Sequence, residues 1–372
     1  MAQSVFYFTD STDFGGAEQA LLLLVEHLDR DAWRPTLLYN ESPGIAPLVE
    51  RARDLGAELR PVPAAPEGLA GARRVPELVR MLRAERPVVF HAHLTWPLAA
   101  KYPLAAAVLA RVPAVVATVQ LYPDFTMSRS TSLQHRLLAA GIDRYIAVSA
   151  DIAARLVREL HRPAAKLEVI HNGVAAGNVS RPDAALRCAL GGGERIVLAA
   201  GRLTPQKGFD ALVRAVPLVP GASFAVAGDG PERAHLEAAA EALGVGDRIR
   251  FLGRRDDVPR LLAAADVFAA PSLWEGTSLA IVEAMLAAKP VVATAIAGTT
   301  EQIVDGESGL LVPPDDHEAL AAALRSVVGD AASARRLGAA ARDRALSRFT
   351  IEIASARVAA LYRSILAEPD GD

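Results

Sequence analysis

Two glutamates, Glu275 and Glu283, stand in "LWEGTSLAIVEAML" with seven residues between them. Glu283 falls inside an otherwise apolar run, where burying a carboxylate without a partner is costly. The longer stretch "DVFAAPSLWEGTSLAIVEAMLAAKPVVAT" reads as strand, loop, helix, strand. Glu275 is then in the loop. The N–H groups of Gly276, Thr277, Ser278 and Leu279 open a helix, where they suit a phosphate. Glu283 comes about two turns later. A vicinal diol such as a ribose offers two O–H donors, which an acceptor-only carboxylate satisfies. A buried ion pair with an arginine would satisfy Glu283 equally.

Three further loops follow strand-like runs and open helices. In "AAGRLTPQKGFDALVRAV", Arg202 follows Gly201 at a strand end and Lys207-Gly208 precedes the next helix. Two cations in one Gly/Pro loop can converge on a diphosphate, Arg with its bidentate fork and Lys as a point charge, or can simply be solvated. The loop is not a Walker A motif, which would need G-x-x-x-x-G-K-[ST]. "TDSTDFGGAEQALLLL" places Gly15 and Gly16 at a helix start, open to an anion or serving a plain turn. "AVAGDGPERAHL" breaks the chain at Gly228 and restarts it at Pro231. In "HAH", His91 and His93 alternate by two and can share a face. No third ligand accompanies them for a metal, so His93 reads as a polar group lining a cleft near an acceptor or as a structural histidine.

The elements that must position these loops follow from the hydrophobic pattern. Short β-branched runs ("SVFYFTD", "PTLLYN", "ELRPV", "PVVFHAH", "AVVATV", "RYIAVS") alternate with helical stretches, and the second half repeats the scheme from "RIVLAAG" to "GLLVPP". This is the signal of βαβ units and parallel sheets. The stretch "EVIHNGVAAGNVSRPDAALRCALGGGE" has a linker composition, with Gly173 as a hinge. The pattern is helical from about residue 315 and ends in "IEIASARVAALYRSILAE". We expect an N-terminal domain over 1–172, a second domain over 173–350 and a terminal helix over 351–372 that packs back on the first domain. Both domains are expected to be doubly wound α/β units facing one another across a cleft. Ligands of such sheets bind beyond the carboxyl ends of the strands.

Composition excludes several classes. With 372 residues, 51% hydrophobic and 22% charged, the chain suits two packed domains. A net charge of −3 gives no general attraction to nucleic acid. One cysteine, Cys188, rules out a disulfide framework and reads as a small structural side chain. "MAQSVFYFTD" lacks a basic signal-peptide start and no apolar run nears a membrane span, so a cytoplasmic location is expected. The segment "GARRVPELVRMLRAERP" surrounds apolar positions with arginines, which fits a solvated helix face or weak contact with an anionic membrane surface.

Taken in order, "GGAE", "HNGV", "GRL…KG", "GDGP", "FLG", the E-x7-E pair with "KPVVAT", and "AGTTEQIVDGESGLLVPPDD" resemble the retaining glycosyltransferases of family four, which have the GT-B fold. The resemblance spans nearly the whole chain. It implies transfer of a sugar from a nucleotide diphosphate sugar, with UDP the commonest base, to an acceptor, without a cofactor or a metal ion. It implies that Arg202 and Lys207 hold the diphosphate, that Glu275 meets the hydroxyls of the transferred sugar, and that Glu283 meets the ribose. Arg202, Lys207 and Glu275 are thus the expected catalytic groups. Gly16, Gly201, Gly228, Arg254, Gly276, Thr277, Ser278 and Leu279 complete the expected donor site. Gly15, His93, Gln120 and Asp124 are the candidates facing sugar or acceptor, the acceptor being a small molecule, a lipid-linked sugar or a polysaccharide.

The chain departs from the family pattern at Gln120, where "TVH" is usual, and at Ala297 and Ala288, where glycine is frequent. An amide at 120 hydrogen-bonds but cannot shuttle a proton. A sugar-nucleotide epimerase or phosphorylase on the same architecture, or a degenerate binding protein, are the alternatives to a transferase.

Overall fold

The computed structural model describes residues 2–65, 68–177, 179–181, 183–191 and 195–367. The chain divides into two compact units. One holds the chain up to Gly173 together with the terminal helix Ile351–Ala367, and the other runs from Val174 to Thr350.

The first unit is built on seven strands: β1 (Gln3–Thr9), β2 (Trp33–Tyr39), β3 (Glu58–Pro61), β4 (Val89–Leu94), β5 (Ala114–Val119), β6 (Arg144–Ala147) and β7 (Leu167–Val169). They pair in the order β3-β2-β1-β4-β5-β6-β7, all parallel. Every residue of "VFHAHL" in β4 and of "AVVATV" in β5 is buried. Such uninterrupted burial requires helices on both faces, the condition under which parallel sheets are stable.

The register sets which side chains meet. Tyr7 lies opposite His91 and Thr9 opposite His93, while His93 lies opposite Thr118. These residues therefore share one face, since side chains alternate along a strand. The terminal helix covers that face. Its Tyr362 is fully buried, with its hydroxyl 2.6 Å from His91 Nδ1 and 3.3 Å from Tyr7 Oη, and with its ring edge-on to Trp33 at 5.4 Å. Thr118 Oγ1 lies 2.7 Å from His91 Nε2, so both nitrogens of that buried ring are engaged.

The second unit carries β8 (Arg195–Ala200), β9 (Ala222–Ala227), β10 (Ile249–Phe251), β11 (Val267–Ala270), β12 (Val291–Thr294) and β13 (Leu310–Val312), parallel and in the order β10-β9-β8-β11-β12-β13. Each sheet is doubly wound. Its order reverses beside β1 in the first unit and beside β8 in the second, and these switch points are where such folds take ligands.

The stretch expected as a linker is partly ordered into elements. Residues Leu167–Val169 add an edge strand to the first sheet, and Ala184–Gly191 form a helix on which Cys188 is exposed. A strand of three residues carries too little periodicity to read, and here its pairing with β6 and the Arg357–Glu168 ion pair at 3.0 Å hold it in place.

Candidate functional site

In the second unit the loops after β8 and β11 adjoin the switch point and are stitched together. Leu273 donates its N–H to the Gln206 carbonyl at 2.8 Å, and Gln206 Nε2 donates to the Trp274 carbonyl at 3.0 Å. Gly208, at φ +62°, lets the two loops touch: a Cβ there would stand 2.1 Å from the Pro271 carbonyl oxygen. This contact brings the short turn Pro205–Lys207 against Glu275. Lys207 Nζ donates to Glu275 Oε1, which also accepts from Ser272 Oγ at 3.0 Å. The Glu275 side chain is only 6% exposed and that of Lys207 20%, so the pair sits in a partly dry recess. Arg202, from the same loop, is exposed, and no described residue holds its guanidinium.

The turns after β8, β9 and β10 meet backbone to backbone. Gly228 (φ +153°) donates its N–H to the Gly253 carbonyl at 2.8 Å, and a Cβ on it would fall 1.8 Å from the Gly201 carbonyl oxygen. Arg254 follows Gly253 and is exposed. The structure thus brings Gly201, Gly228, Lys207 and Glu275 to one edge of one sheet.

One expectation is corrected here. The helix after Glu275 runs Leu279–Leu286, so Gly276 and Thr277 precede it and Ser278 is its N-cap. The Ser278 N–H is already committed to Gln302 Oε1 at 3.2 Å, while Gln302 Nε2 returns to the Ser278 carbonyl at 2.9 Å. Gln302 is fully buried, and its amide fixes the angle at which the helix leaves the loop. The helix therefore begins at Leu279 rather than Gly276, and the Ser278 N–H is not open to an anion.

Glu283 lies in the second turn of that helix. Among the described residues no ion pair or hydrogen bond reaches its carboxyl, so the arginine partner considered above is not there. Burial alone pushes its pKa up to about 7.

In the first unit, Gly15 caps the helix Gly16–Glu26, and its N–H donates to Glu18 Oε2 at 2.8 Å. This helix start therefore answers part of its positive end with its own carboxylate. A Cβ on Gly16 would meet nothing within 4 Å, so packing does not demand glycine there. His93 and Gln120 are buried at the ends of β4 and β5, and Gln120 Oε1 accepts from Asn172 Nδ2 at 2.7 Å. Asp124 is drawn elsewhere: its exposed carboxylate is bound by Arg155 at 2.7 Å. Ser272, Gln302 and Asn172 were not singled out in the sequence. Their only signal is a polar side chain in a buried or strand-end context, three residues before Glu275 in the case of Ser272.

A family profile described as "Glycosyl transferase 4-like domain" matches residues 15–173, and one described as "Glycosyl transferases group 1" matches 188–344. The chain is 32% identical to a glycogen synthase of Mycobacterium tuberculosis over 75% of its own length and 69% of that protein. It is 37% identical to a lipopolysaccharide core biosynthesis glycosyltransferase of Rhizobium meliloti over 42% of its length, a match spanning 46% of the relative. The fold is similar to that of Anabaena HepE, solved with UDP and glucose, at a TM-score of 0.82 and 23% identity over 97% of this chain and all of that one. Its two parallel-sheet α/β units give the chain the GT-B fold, and it belongs to the group 1 glycosyltransferases, its first unit carrying their family-four-like domain.

Proposed function

We propose that the protein transfers a sugar, with retention at the anomeric carbon, from a nucleotide diphosphate sugar held by the second unit, with UDP as the nucleotide. The observation that carries this reading is the carboxyl of Glu283, without a partner among the described residues, in the second turn of the helix that opens near the switch point of the second sheet. A ribose diol supplies the two donors that such a carboxylate lacks. The relatives' names, glycogen synthase and lipopolysaccharide glycosyltransferase, support a sugar donor.

The Lys207–Glu275 pair gives the reaction its geometry. An ammonium has three donors, so Lys207 can keep Glu275 and still meet the diphosphate. Glu275, fixed by Ser272 and Lys207, keeps its second oxygen for a sugar hydroxyl. Arg202 adds a fork to the phosphates without giving up a protein partner. As the bond from C1 to the phosphate oxygen breaks, its electron pair goes to the diphosphate, whose charge Arg202, Lys207 and the Leu279 helix start stabilise. One such placed donor is worth roughly 3 kcal/mol. The acceptor oxygen bonds to C1 on the same face, and its proton passes to the departing phosphate oxygen. No step of this reading passes through a metal ion, and turnover that survives EDTA would bear on that point.

Incubation with UDP-, GDP- and ADP-sugars, with assay of both released nucleotide and glycosylated product, tests the reading. Turnover that requires inorganic phosphate, or an epimerised donor without transfer, would replace it with the phosphorylase or epimerase alternative. Donor binding with no turnover against any acceptor would leave a binding protein.

A further inference from the structure

The loop that carries Glu275 is propped from behind by a helix of six residues, Ala297–Gln302, which follows β12. The two meet backbone to backbone. A Cβ on Gly298 would stand 2.1 Å from the Gly276 carbonyl oxygen and 2.7 Å from that of Glu275. Where β12 ends, Thr294 donates its hydroxyl to the Ser272 carbonyl, and the fully buried Thr299 donates its own to the Thr294 carbonyl. At the far end of the same helix, the Gln302 amide clamps both backbone groups of Ser278. The helix thus bears on the loop at Glu275, Gly276 and Ser278.

What holds this helix is Arg344. Its Nε donates to the Gln302 carbonyl at 2.7 Å and its Nη2 to the Glu301 carbonyl at 2.8 Å. Arg344 comes from the helix Ala331–Arg348, and its guanidinium lies 6.0 Å from the ring centroid of the buried Phe349. Among the described residues no carboxylate pairs with it. The last carbonyls of a helix lack intrahelical partners, and a cation there also opposes the negative end of the dipole. Six residues are too few for a helix to persist by its own hydrogen bonds, so its place is set by such outside contacts. The same long helix fixes the far end of Leu279–Leu286. Arg342 donates to the Leu286 carbonyl, and a Cβ on Gly338 would fall 2.1 Å from the Ala288 carbonyl oxygen. Glu283 therefore sits on a helix gripped at its start through Gln302 and at its end through Arg342.

We propose that Arg344 and Gln302 are positioning residues of the donor site. Arg344 fixes the helix Ala297–Gln302, and the Gln302 amide passes that position on to Ser278, so that Glu275 and Glu283 stand where a bound donor needs them. A misplacement of about 1 Å caused by a distant substitution is enough to cost on the order of a hundredfold in turnover. The consequence for the donor rests on the transferase reading; the support of the loop does not.

The test uses the full chain grown with 5-fluorotryptophan and read by fluorine NMR. Trp274 precedes Glu275 and is the one tryptophan of the second unit, while Trp33 and Trp96 belong to the first. Its signal is identified by its loss in Trp274→Phe. Below the melting transition of every variant, Arg344→Leu is expected to move or broaden the Trp274 signal and to leave those of Trp33 and Trp96 in place. It is also expected to weaken UDP about tenfold in calorimetry. Arg344→Lys, which keeps the charge but not the two-pronged geometry, should fall between Arg344→Leu and the wild type. Gln302→Met should act as Arg344→Leu does, and the double variant should bind UDP about as the single ones do, since both act through Ser278. A lower melting temperature with an unmoved Trp274 signal, unchanged UDP affinity in Arg344→Leu, or losses that multiply in the double variant would overturn the proposal. If Gln302→Met does not fold, the Arg344 variants decide alone. The wild type separates the two readings: UDP binding to it with no change in the variants defeats only this proposal, whereas no UDP binding with a moved Trp274 signal defeats only the donor reading.

Discussion

Replacing Glu283 with glutamine separates its electrostatics from its shape. Burial raises the carboxyl pKa from 4.5 to about 7, and no partner among the described residues offsets it. The sign follows from proton linkage. Above pH 4.5 the unfolded chain has released this proton while the native chain still holds it, so the native state binds more protons and stability falls as pH rises toward 7. At about 1.4 kcal/mol per pH unit, that interval sets an upper limit of about 3 kcal/mol lost by neutral pH. Glutamine keeps the volume and never ionises. Glu283→Gln should therefore match the wild type near pH 4 and exceed it by up to about 3 kcal/mol at pH 8, or roughly 2–4 °C per kcal/mol for a unit of this size. Urea denaturation at both pH values measures the difference, in which the other titrating groups cancel. The same variant should lose the stabilisation that UDP confers, about 2.7 kcal/mol for the wild type at 100 times its dissociation constant. A variant less stable than the wild type at both pH values, or with an unchanged pH slope, would refute the reasoning.

Other substitutions test the second unit's recess. Lys207→Met strands the nearly buried Glu275 carboxylate and should destabilise by about 2–3 kcal/mol, while adding Glu275→Gln should restore stability without restoring turnover; thermal unfolding and nucleotide release read the two effects. Gly208→Ala combines positive φ with a clash on the Pro271 carbonyl and should destabilise by more than about 2 kcal/mol in chemical denaturation. Gly16→Ala meets open space, so the fold should be unchanged within about 0.5 kcal/mol, and a fall in turnover without a fall in melting temperature would mark a ligand passing there.

Much of the architecture was legible in the sequence because parallel strands buried on both faces leave long apolar runs. "PVVFHAH" and "AVVATV" needed nothing else, and they mark the fully buried strands Val89–Leu94 and Ala114–Val119. β7 was missed because three residues, Leu167–Val169, have no period to detect, and their pairing is tertiary. At the candidate site, residue types pointed to Arg202, Lys207, Glu275 and Glu283, but not to the side chains around them. That Lys207 meets Glu275 depends on a loop crossing made through Gly208 and Pro271, residues 63 positions apart in the chain. The helix start was misplaced because only Gln302, contributed from another helix, commits the Ser278 N–H. Asp124, expected to face sugar or acceptor, is held by Arg155, 31 positions along the chain, a contact with no local signature. The pairing of the His91 ring with Tyr362 likewise spans 271 positions and had no local signature.

In the proposed donor site the edge of the second sheet grips a nucleotide diphosphate through the guanidinium of Arg202, which no described residue holds. Calorimetric titration of UDP into the wild type and into Arg202→Ala tests it most directly, since Arg202 is exposed and its loss should leave folding intact. The wild type should bind and the variant should bind at least about tenfold more weakly, a loss of about 1.4 kcal/mol or more, with an unchanged melting temperature. Equal affinity in the two proteins, or no binding of any nucleoside diphosphate to the wild type, would contradict it.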